Sequence, residues 1–304
     1  MLLAAEEASE AIELGLSVPA WAWAAFIALI AVLLIADLLL VHRTAHVITL
    51  REAAIESAVW ITLGSSFTFV VLGWHGSEAA GQYLSGYLIE KSLSIDNVFV
   101  WAVIFTLFAV PQKFQFRVLF WGVFGALVLR AIFIFVGLEL IERFEWVLYL
   151  FGALLLLTAV RIARHDEAEI NPERNLALRV VRKVVPSTTE YDGQKLFTRR
   201  NGRRLATPLF AVLILVESTD VVFAVDSIPA IFGVSRDQFI VFSSNAFAIL
   251  GLRALYFLLA GMAGRFRYLN LGLGVILAFV GAKIILETAD LVHLPTWASL
   301  VVIS

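Results

Sequence analysis

Long apolar stretches separated by short polar segments make up most of this chain. Eight of the stretches are about 20 residues long and nearly free of charge, which is the length that an α-helix needs to cross a bilayer. They are Trp21–Val41, Ala58–Trp74, Leu84–Val110, Val118–Leu138, Trp146–Ile162, Leu209–Phe232, Phe239–Ala260 and Leu269–Thr288. The pattern predicts an all-α polytopic membrane protein with eight to nine transmembrane helices. The apolar run Pro295–Ser304 is the predicted start of the ninth.

The composition agrees with this class of protein. The chain is 61% hydrophobic with a mean hydropathy of +0.89, whereas soluble domains are about 45–50% apolar. A transmembrane β-barrel would need alternating segments of about ten residues, and the sequence has none. The absence of cysteine excludes a disulfide framework and a thiolate metal site.

The loop charges predict the orientation of the spans. If the polar segment Ala163–Ala206 faces the cytoplasm, 17 of the 23 Lys and Arg residues fall in inside loops. Only Arg143 and Arg236 fall outside, and the other four lie within spans. Such an excess of inside positive charge is the usual determinant of topology. We therefore expect a multi-pass protein of the plasma or inner membrane with its N-terminus outside.

An internal repeat relates two parts of the chain at a spacing of 122 to 124 residues. The aligned pairs include Asp96 with Asp220, Arg130 with Arg253, and Gly152 with Gly274. Each copy contains three predicted helices, and an odd number inverts the second copy relative to the first. Inverted repeats of this kind are typical of secondary transporters, whose substrate site lies near the membrane midplane between the copies.

These features together predict a single transmembrane domain over residues 1–304. Its predicted parts are two N-terminal helices in 20–75, repeat 1 in 84–162, a cytoplasmic loop in 163–206, repeat 2 in 207–288, and the start of a last helix in 289–304.

Two of the predicted spans carry several acidic residues. Glu90 and Asp96 lie in the third span, and Glu217, Asp220 and Asp226 lie in the sixth. A charged side chain at membrane depth is costly, so such residues mark functional sites by default. The aligned repeat predicts that Asp96 faces Asp220 near the midplane.

A regular helix would not direct all the acids of the sixth span at one ion. Asp226 follows Glu217 by nine residues, which places the two on opposite faces at 100° per residue. Pro229 follows shortly afterwards, and a proline removes one backbone hydrogen bond and bends or breaks a helix. We therefore expect a break near Val225–Ile228 that turns Asp226 toward the other acids.

The predicted ligands are all hard oxygen donors. The metal-site residues that we predict are Glu90, Asp96, Asn97, Glu217, Asp220 and Asp226. Carboxylate and amide oxygens favour Mg²⁺, Ca²⁺ or Mn²⁺ over Zn²⁺ or Cu⁺. The sequence contains no nucleotide-binding loop, zinc motif or catalytic triad. We therefore expect no enzyme activity, no tightly bound cofactor and no nucleic-acid partner, and a divalent cation as the transported substrate.

Some of the charged residues have a purely structural alternative. Arg130 and Arg253 are equally well explained as ion-paired residues that hold helices together. The loop Ala163–Ala206 is either a solvated linker, a surface for membrane lipids or the site of a cytoplasmic partner. Within that loop, Leu176–Val185 has a basic amphipathic pattern, and Lys195–Leu205 reads as a β-hairpin about Asn201-Gly202.

At the acidic motifs, the chain resembles the TerC family of bacterial membrane proteins. The segments that carry the resemblance are Glu90–Phe99, Glu217–Ala230 and Phe247–Tyr256, and the likeness extends over nearly the whole chain. The family is named for tellurium resistance, is grouped with the LysE-type exporters, and includes members associated with manganese export. The resemblance implies a cation exporter whose acidic motif residues are Glu90, Asp96, Glu217, Asp220 and Asp226. Family members usually continue through a last helix, whereas this chain ends at Ser304.

We therefore expect an exporter of a divalent metal cation, with manganese favoured by the resemblance and with proton coupling as an option. The first alternative is a non-transporting membrane scaffold of a metal or tellurite stress-response complex. A second alternative is an exporter of an organic or oxyanion solute, which the acid-rich core disfavours.

Overall fold

The computed structural model describes residues 15–38, 47–163, 178–179, 183, 185–200, 202–260, 269–289 and 291. The described chain is almost entirely helical. Its helices are α1 (Ala20–Ala36), α2 (Leu50–Leu107), α3 (Gln112–Arg143), α4 (Val147–Ala163), α5 (Pro208–Phe232), α6 (Gln238–Leu250), α7 (Leu252–Leu259) and α8 (Leu269–Thr288). Two short strands, β1 (Phe197–Arg200) and β2 (Arg203–Ala206), precede α5.

Within the described residues, each of the eight predicted spans coincides with helix over most of its length. By length and composition, five helical segments of the described chain are able to cross a membrane, and α1 and α4 are shorter apolar helices. The prediction of a helical, multi-pass membrane protein is therefore confirmed. The count of eight to nine crossings stays a prediction, and the segment Pro295–Ser304 lies outside the described residues.

Helix α2 contains two of the predicted spans, and it folds back on itself between them at Gly76. Gly76 has φ 85° and ψ −176°, a left-handed conformation that favours glycine. The Tyr83 hydroxyl donates a hydrogen bond to the Gly64 carbonyl at 2.9 Å, across 19 residues of chain. A straight helix would separate these residues by about 28 Å. The two arms are therefore antiparallel neighbours and correspond to the predicted second and third spans.

The seventh predicted span is interrupted at Gly251, where α6 ends and α7 begins. Lys91 of α2 donates from Nζ to the Ala248 carbonyl at 3.3 Å, so an ammonium group binds the C-terminal end of α6, where the helix dipole favours a cation. A Cβ on Gly251 would lie 2.7 Å from that Nζ and 2.9 Å from Trp60 Cβ. The break is therefore packed against both arms of α2 and requires a residue without a side chain.

The predicted break before Pro229 is wrong. Helix α5 continues without interruption from Pro208 to Phe232, with Pro229 inside it. Proline removes one hydrogen bond, but here it stands in the last turn of the helix. The turn is held by tertiary packing, since Ile228, Ile231 and Phe232 are all at most 3% exposed in the core. Asp226 consequently keeps its regular helical position.

The predicted hairpin in the 163–206 loop is present. Strands β1 and β2 pair antiparallel, and Gly202 adopts φ 76° in the turn. Asn201 and most of the predicted amphipathic segment Leu176–Val185 lie outside the described residues.

Helices α4 and α8 cross in close backbone contact at two glycines. A Cβ added to Gly281 would lie 2.9 Å from the Gly152 carbonyl oxygen, and one added to Gly152 would lie 3.0 Å from the Gly281 carbonyl oxygen. The two helices can approach this closely only because neither position carries a side chain.

Replacing Gly281 with Val is therefore expected to destabilise the protein by about 1–3 kcal/mol, because the added side chain must force α4 and α8 apart. The measurement is the thermal unfolding midpoint in detergent. Gly272→Val is the matched control, because Gly272 is on the same helix and a Cβ there meets nothing within 4 Å. Equal midpoints for the two variants would contradict the close crossing.

Candidate functional site

The guanidinium of Arg130 lies at the centre of the acidic region, and it is 1% exposed. Its Nη2 donates to Oδ1 of Asp220 at 3.1 Å, and its Nε donates to Oδ2 of the same carboxylate at 3.4 Å. Its Nη1 contacts the Glu90 carboxylate and donates to the Ser227 hydroxyl at 3.1 Å. One arginine from α3 therefore joins an acid on α2 to an acid on α5.

The second acid of this cluster, Glu90, is completely buried and has further polar partners. The Ser94 hydroxyl donates to Oε1 at 3.0 Å, and the side-chain amide of Asn245 on α6 donates to Oε2 at 3.1 Å. Glu90, Arg130 and Asp220 carry a formal charge of −1 together. Four helices thus meet at a buried polar centre whose three charged groups sum to one negative charge.

Glu217 precedes Asp220 by one helical turn on α5. Its carboxylate lies against Gly125 of α3, where any side chain would occupy the same space. Within the described part of the chain, Oε2 of Glu217 is buried and has no hydrogen-bond partner. This oxygen is accordingly an unused hard ligand beside the Arg130 cluster.

The other predicted ligands lie further along the same two helices. Asp226 is six residues beyond Asp220, about 9 Å along the axis, and accepts a hydrogen bond from the Thr158 hydroxyl of α4 at 3.0 Å. Asp96 and Asn97 follow Glu90 by a similar distance on α2. Asn97 is 2% exposed, and among the described residues its Oδ1 has no hydrogen-bond partner.

The structure therefore joins two of the six predicted residues, Glu90 and Asp220, through one arginine. The described residues form no group of three or more His, Cys, Asp or Glu side chains that could hold a metal ion. Convergence of Asp96, Glu217 and Asp226 on one cation with them stays a prediction.

Sequence reasoning missed one member of the cluster and left another undecided. Asn245 was not anticipated, although a single amide in the apolar run Phe242–Leu250 was the available signal. The sequence left open whether Arg130 serves function or only forms a structural ion pair. Its position between two buried acids could not be predicted from residue spacing, because the three residues come from three different helices.

The repeat counterpart of Arg130 lies in a similar arrangement. Arg253 is 4% exposed and pairs with Asp37 at the end of α1, while Glu56 of α2 lies 3.7 Å from its Nη2. Its guanidinium carbon also lies 4.4 Å from the centre of the Phe116 ring. Both aligned arginines are therefore buried next to two carboxylates.

Residues 75–304 match the family described as "Integral membrane protein TerC family". The chain belongs to this family. The resemblance seen in the sequence is thereby confirmed, and the matched residues include Glu90, Arg130 and Asp220.

Several curated relatives match this TerC-family protein over most of its length. It is 49% identical to the "Uncharacterized membrane protein STKORF319" of Myxococcus xanthus, covering 93% of this chain and 88% of the relative. It is 48% identical to the "Putative membrane-bound redox modulator Alx" of Escherichia coli K12, covering 92% and 90%. It is 44% identical to the "Uncharacterized membrane protein Mb2742" of Mycobacterium bovis, covering 87% and 68%. No solved structure matches the chain.

Proposed function

We propose that this protein is a secondary transporter that exports a divalent metal cation, Mn²⁺ as the first candidate, through a carboxylate site in the middle of the membrane. The observation that carries the proposal is the Glu90–Arg130–Asp220 cluster, in which two fully buried acids from different helices share one internal cation. Buried carboxylates are costly unless a positive charge compensates them. Arg130 supplies that charge when no substrate ion is bound.

A divalent cation would take over the role of Arg130 during transport. Asp220 and Glu90 offer hard oxygen ligands, and Glu217 adds an unpartnered carboxylate oxygen one turn away. Oxygen ligands of this kind suit Mn²⁺, Mg²⁺ and Ca²⁺. Asp96, Asn97 and Asp226 join the site in the ion-bound conformation. After release of the ion, the guanidinium or protons restore the charge balance, which provides a route for proton coupling.

An inverted repeat would supply the movement that such a transporter needs. The offset of 122 residues relates Gly152 to Gly274 and Ala159 to Gly281. Gly281 packs on the Gly152 carbonyl, and a Cβ on Gly274 would lie 3.5 Å from the Ala159 carbonyl. The contact and its repeat counterpart are thus both present between α4 and α8. The two contacts indicate that α4 and α8, the last helices of the two copies, run antiparallel. Inverted copies require this arrangement, and alternating access depends on that architecture.

The non-transporting scaffold remains the second candidate, because the hairpin of β1 and β2 gives the 163–206 loop an ordered, basic surface. The Escherichia coli relative is named as a redox modulator, but this chain contains no cysteine on which thiol redox chemistry could act. The two candidates differ in whether the purified protein moves ions by itself.

Uptake of Mn²⁺ into proteoliposomes, with and without a pH gradient, tests the proposal. We expect uptake above that of protein-free liposomes, and faster uptake when protons can move in the opposite direction. If neither Mn²⁺, Mg²⁺ nor Ca²⁺ crosses the membrane with correctly folded protein, the scaffold replaces the transporter as the better explanation.

The loop charges predict that the N-terminus is outside and the 163–206 loop is cytoplasmic. A reporter that is active only in the cytoplasm should be active when it is inserted after Gly193, in the loop before β1. A reporter that is active only outside the cytoplasm should be inactive at the same position. The excess of 17 inside charges over 2 outside is the physical reason. Activity of an outside-specific reporter at this position would reverse the assigned orientation.

The hairpin arginines are not expected to take part in ion movement. Replacing Arg199, Arg200, Arg203 and Arg204 together with Gln should leave Mn²⁺ uptake close to that of the unmodified protein, since all four are exposed on the hairpin and none contacts the buried acids. Loss of uptake with normal insertion would favour a regulatory or docking role for this surface.

A further inference from the structure

The hairpin places four arginines in two facing pairs. In the strand register, Arg199 lies opposite Arg204, and Arg200 lies opposite Arg203. All four side chains are exposed. We call this pair of strands the arginine ribbon. Like charges directly opposite each other destabilise an antiparallel pair, so an ordered ribbon of this composition calls for a compensating negative charge.

The described chain compensates the ribbon only in part. Glu190 accepts from Arg200 at 2.5 Å, and this hydrogen bond lowers the pKa of Glu190 and keeps it ionised. The Arg204 guanidinium lies 4.7 Å from the centre of the Phe197 ring, which is a cation–π contact without charge neutralisation. Residues 187–206 retain a formal charge of +3. The pair formed by Arg199 and Arg204 is the least neutralised part of the ribbon.

The base of the ribbon is fixed to the ends of two membrane helices. The Thr207 hydroxyl donates to the Lys195 carbonyl at 2.7 Å, and the Phe197 ring lies 4.6 Å from the ring of Phe210 in the first turn of α5. The Tyr191 hydroxyl donates to the carbonyl of Phe108, the residue after α2, at 2.7 Å. The distance of the ribbon from the membrane surface is therefore set by the membrane helices.

Geometry then brings the arginines near the lipid headgroups. A strand of four residues spans at most about 14 Å, and an arginine side chain covers part of that length. The headgroup layer extends several ångströms beyond the hydrocarbon core, and charges interact over a Debye length of about 8–10 Å. We therefore expect the facing arginines to lie within electrostatic reach of lipid phosphates on this side.

We propose that the arginine ribbon is a binding site for the phosphate groups of anionic phospholipids in the cytoplasmic leaflet. The inference rests on the orientation given under the proposed function, and it is independent of whether the protein transports an ion. Two guanidinium groups opposite each other present paired N–H donors that match phosphate oxygens. A bound phosphodiester would remove the repulsion between the facing arginines and attach the loop to the membrane.

Native mass spectrometry of the full-length protein in detergent tests this site with phosphatidylglycerol and phosphatidylcholine as probes. We expect the protein to retain phosphatidylglycerol preferentially. The variant Arg199→Gln/Arg204→Gln should weaken phosphatidylglycerol binding at least about 25-fold, since each basic residue near an anionic surface contributes about a factor of five and these two also supply the paired donors of the site. The matched control is Lys113→Gln/Arg117→Gln, which removes the same charge at the start of α3, outside the ribbon. It should weaken phosphatidylglycerol binding by clearly less than the ribbon variant does. All four positions lie on the side to which we assign the cytoplasm.

Three results would overturn the proposal. The first is an unmodified protein that binds both lipids equally. The second is an Arg199→Gln/Arg204→Gln variant that keeps the full preference, in which case the ribbon faces an acidic protein or solvent. The third is displacement of phosphatidylglycerol by millimolar inorganic phosphate, which would identify a site for free anions. Reporter topology and Mn²⁺ uptake are measured on the same preparations, so a reversed orientation or a failure of the transport proposal is recognised separately.

Discussion

Asp220→Asn is expected to abolish export of the divalent cation while the protein still inserts and folds. The substitution keeps the shape of the side chain and removes the charge that would bind the ion. Mutation of a residue that only positions a metal ligand typically lowers metal affinity or activity roughly 10–100-fold. Loss of a direct ligand should lower the transport rate by at least as much. Folding should persist, because Arg130 retains Glu90 as its partner and the charge of the cluster falls from −1 to 0.

Initial rates of Mn²⁺ uptake into proteoliposomes give the measurement, with the amount of inserted protein determined in parallel. Glu139→Gln is the matched control, because Glu139 is an exposed acid that pairs with Arg143 at the C-terminal end of α3. This control should transport at the normal rate. An Asp220→Asn protein with an unchanged rate would contradict the assignment of the site to the Arg130 cluster.

Arg130→Gln is expected to have the largest effect on stability. The substitution leaves Glu90 and Asp220 buried at 0% and 2% exposure without the cation that both contact. Removing one partner of a buried ion pair typically costs about 3–5 kcal/mol, because an uncompensated charge remains in a low-dielectric interior. We expect a large decrease in the thermal unfolding midpoint and in the fraction of protein that is monodisperse in detergent.

Two further variants separate the electrostatic cause from general damage. Arg143→Gln lies on the same helix, and its pair with Glu139 is 69% and 54% exposed, so it should change stability by no more than about 1 kcal/mol. The double variant Arg130→Gln/Asp220→Asn removes one charge of each sign and should recover much of the lost stability. If the double variant is no more stable than Arg130→Gln, the loss comes from packing and not from unpaired charge.

The stability and transport measurements also distinguish the two explanations of Arg130. If Arg130 is only a structural ion, adding Mn²⁺ should leave the unfolding midpoint of Arg130→Gln unchanged. If Arg130 is the internal substitute for the transported cation, adding Mn²⁺ should partly restore the unfolding midpoint of Arg130→Gln, because the ion then takes the vacant position between the acids.

The sequence by itself determined the features that depend on local composition. Apolar stretches of about 20 residues predicted the positions of the membrane helices. A bilayer offers backbone groups no water, so a spanning segment must form its hydrogen bonds within a helix. Asn201-Gly202 predicted the hairpin, because a tight turn needs residues that accept positive φ. The intramembrane acids were recognisable because a charge at such depth is rare and costly.

Only the tertiary structure decided which charges meet. Glu90, Arg130 and Asp220 come from three helices, and their contact depends on how those helices pack. The periodicity of residues along one segment gives no information about that packing. The same limit explains the error at Pro229, where local propensity favoured a break but burial of Ile228, Ile231 and Phe232 kept the last turn helical. Long-range packing outweighed the loss of one hydrogen bond, so Asp226 stayed in register beside Thr158.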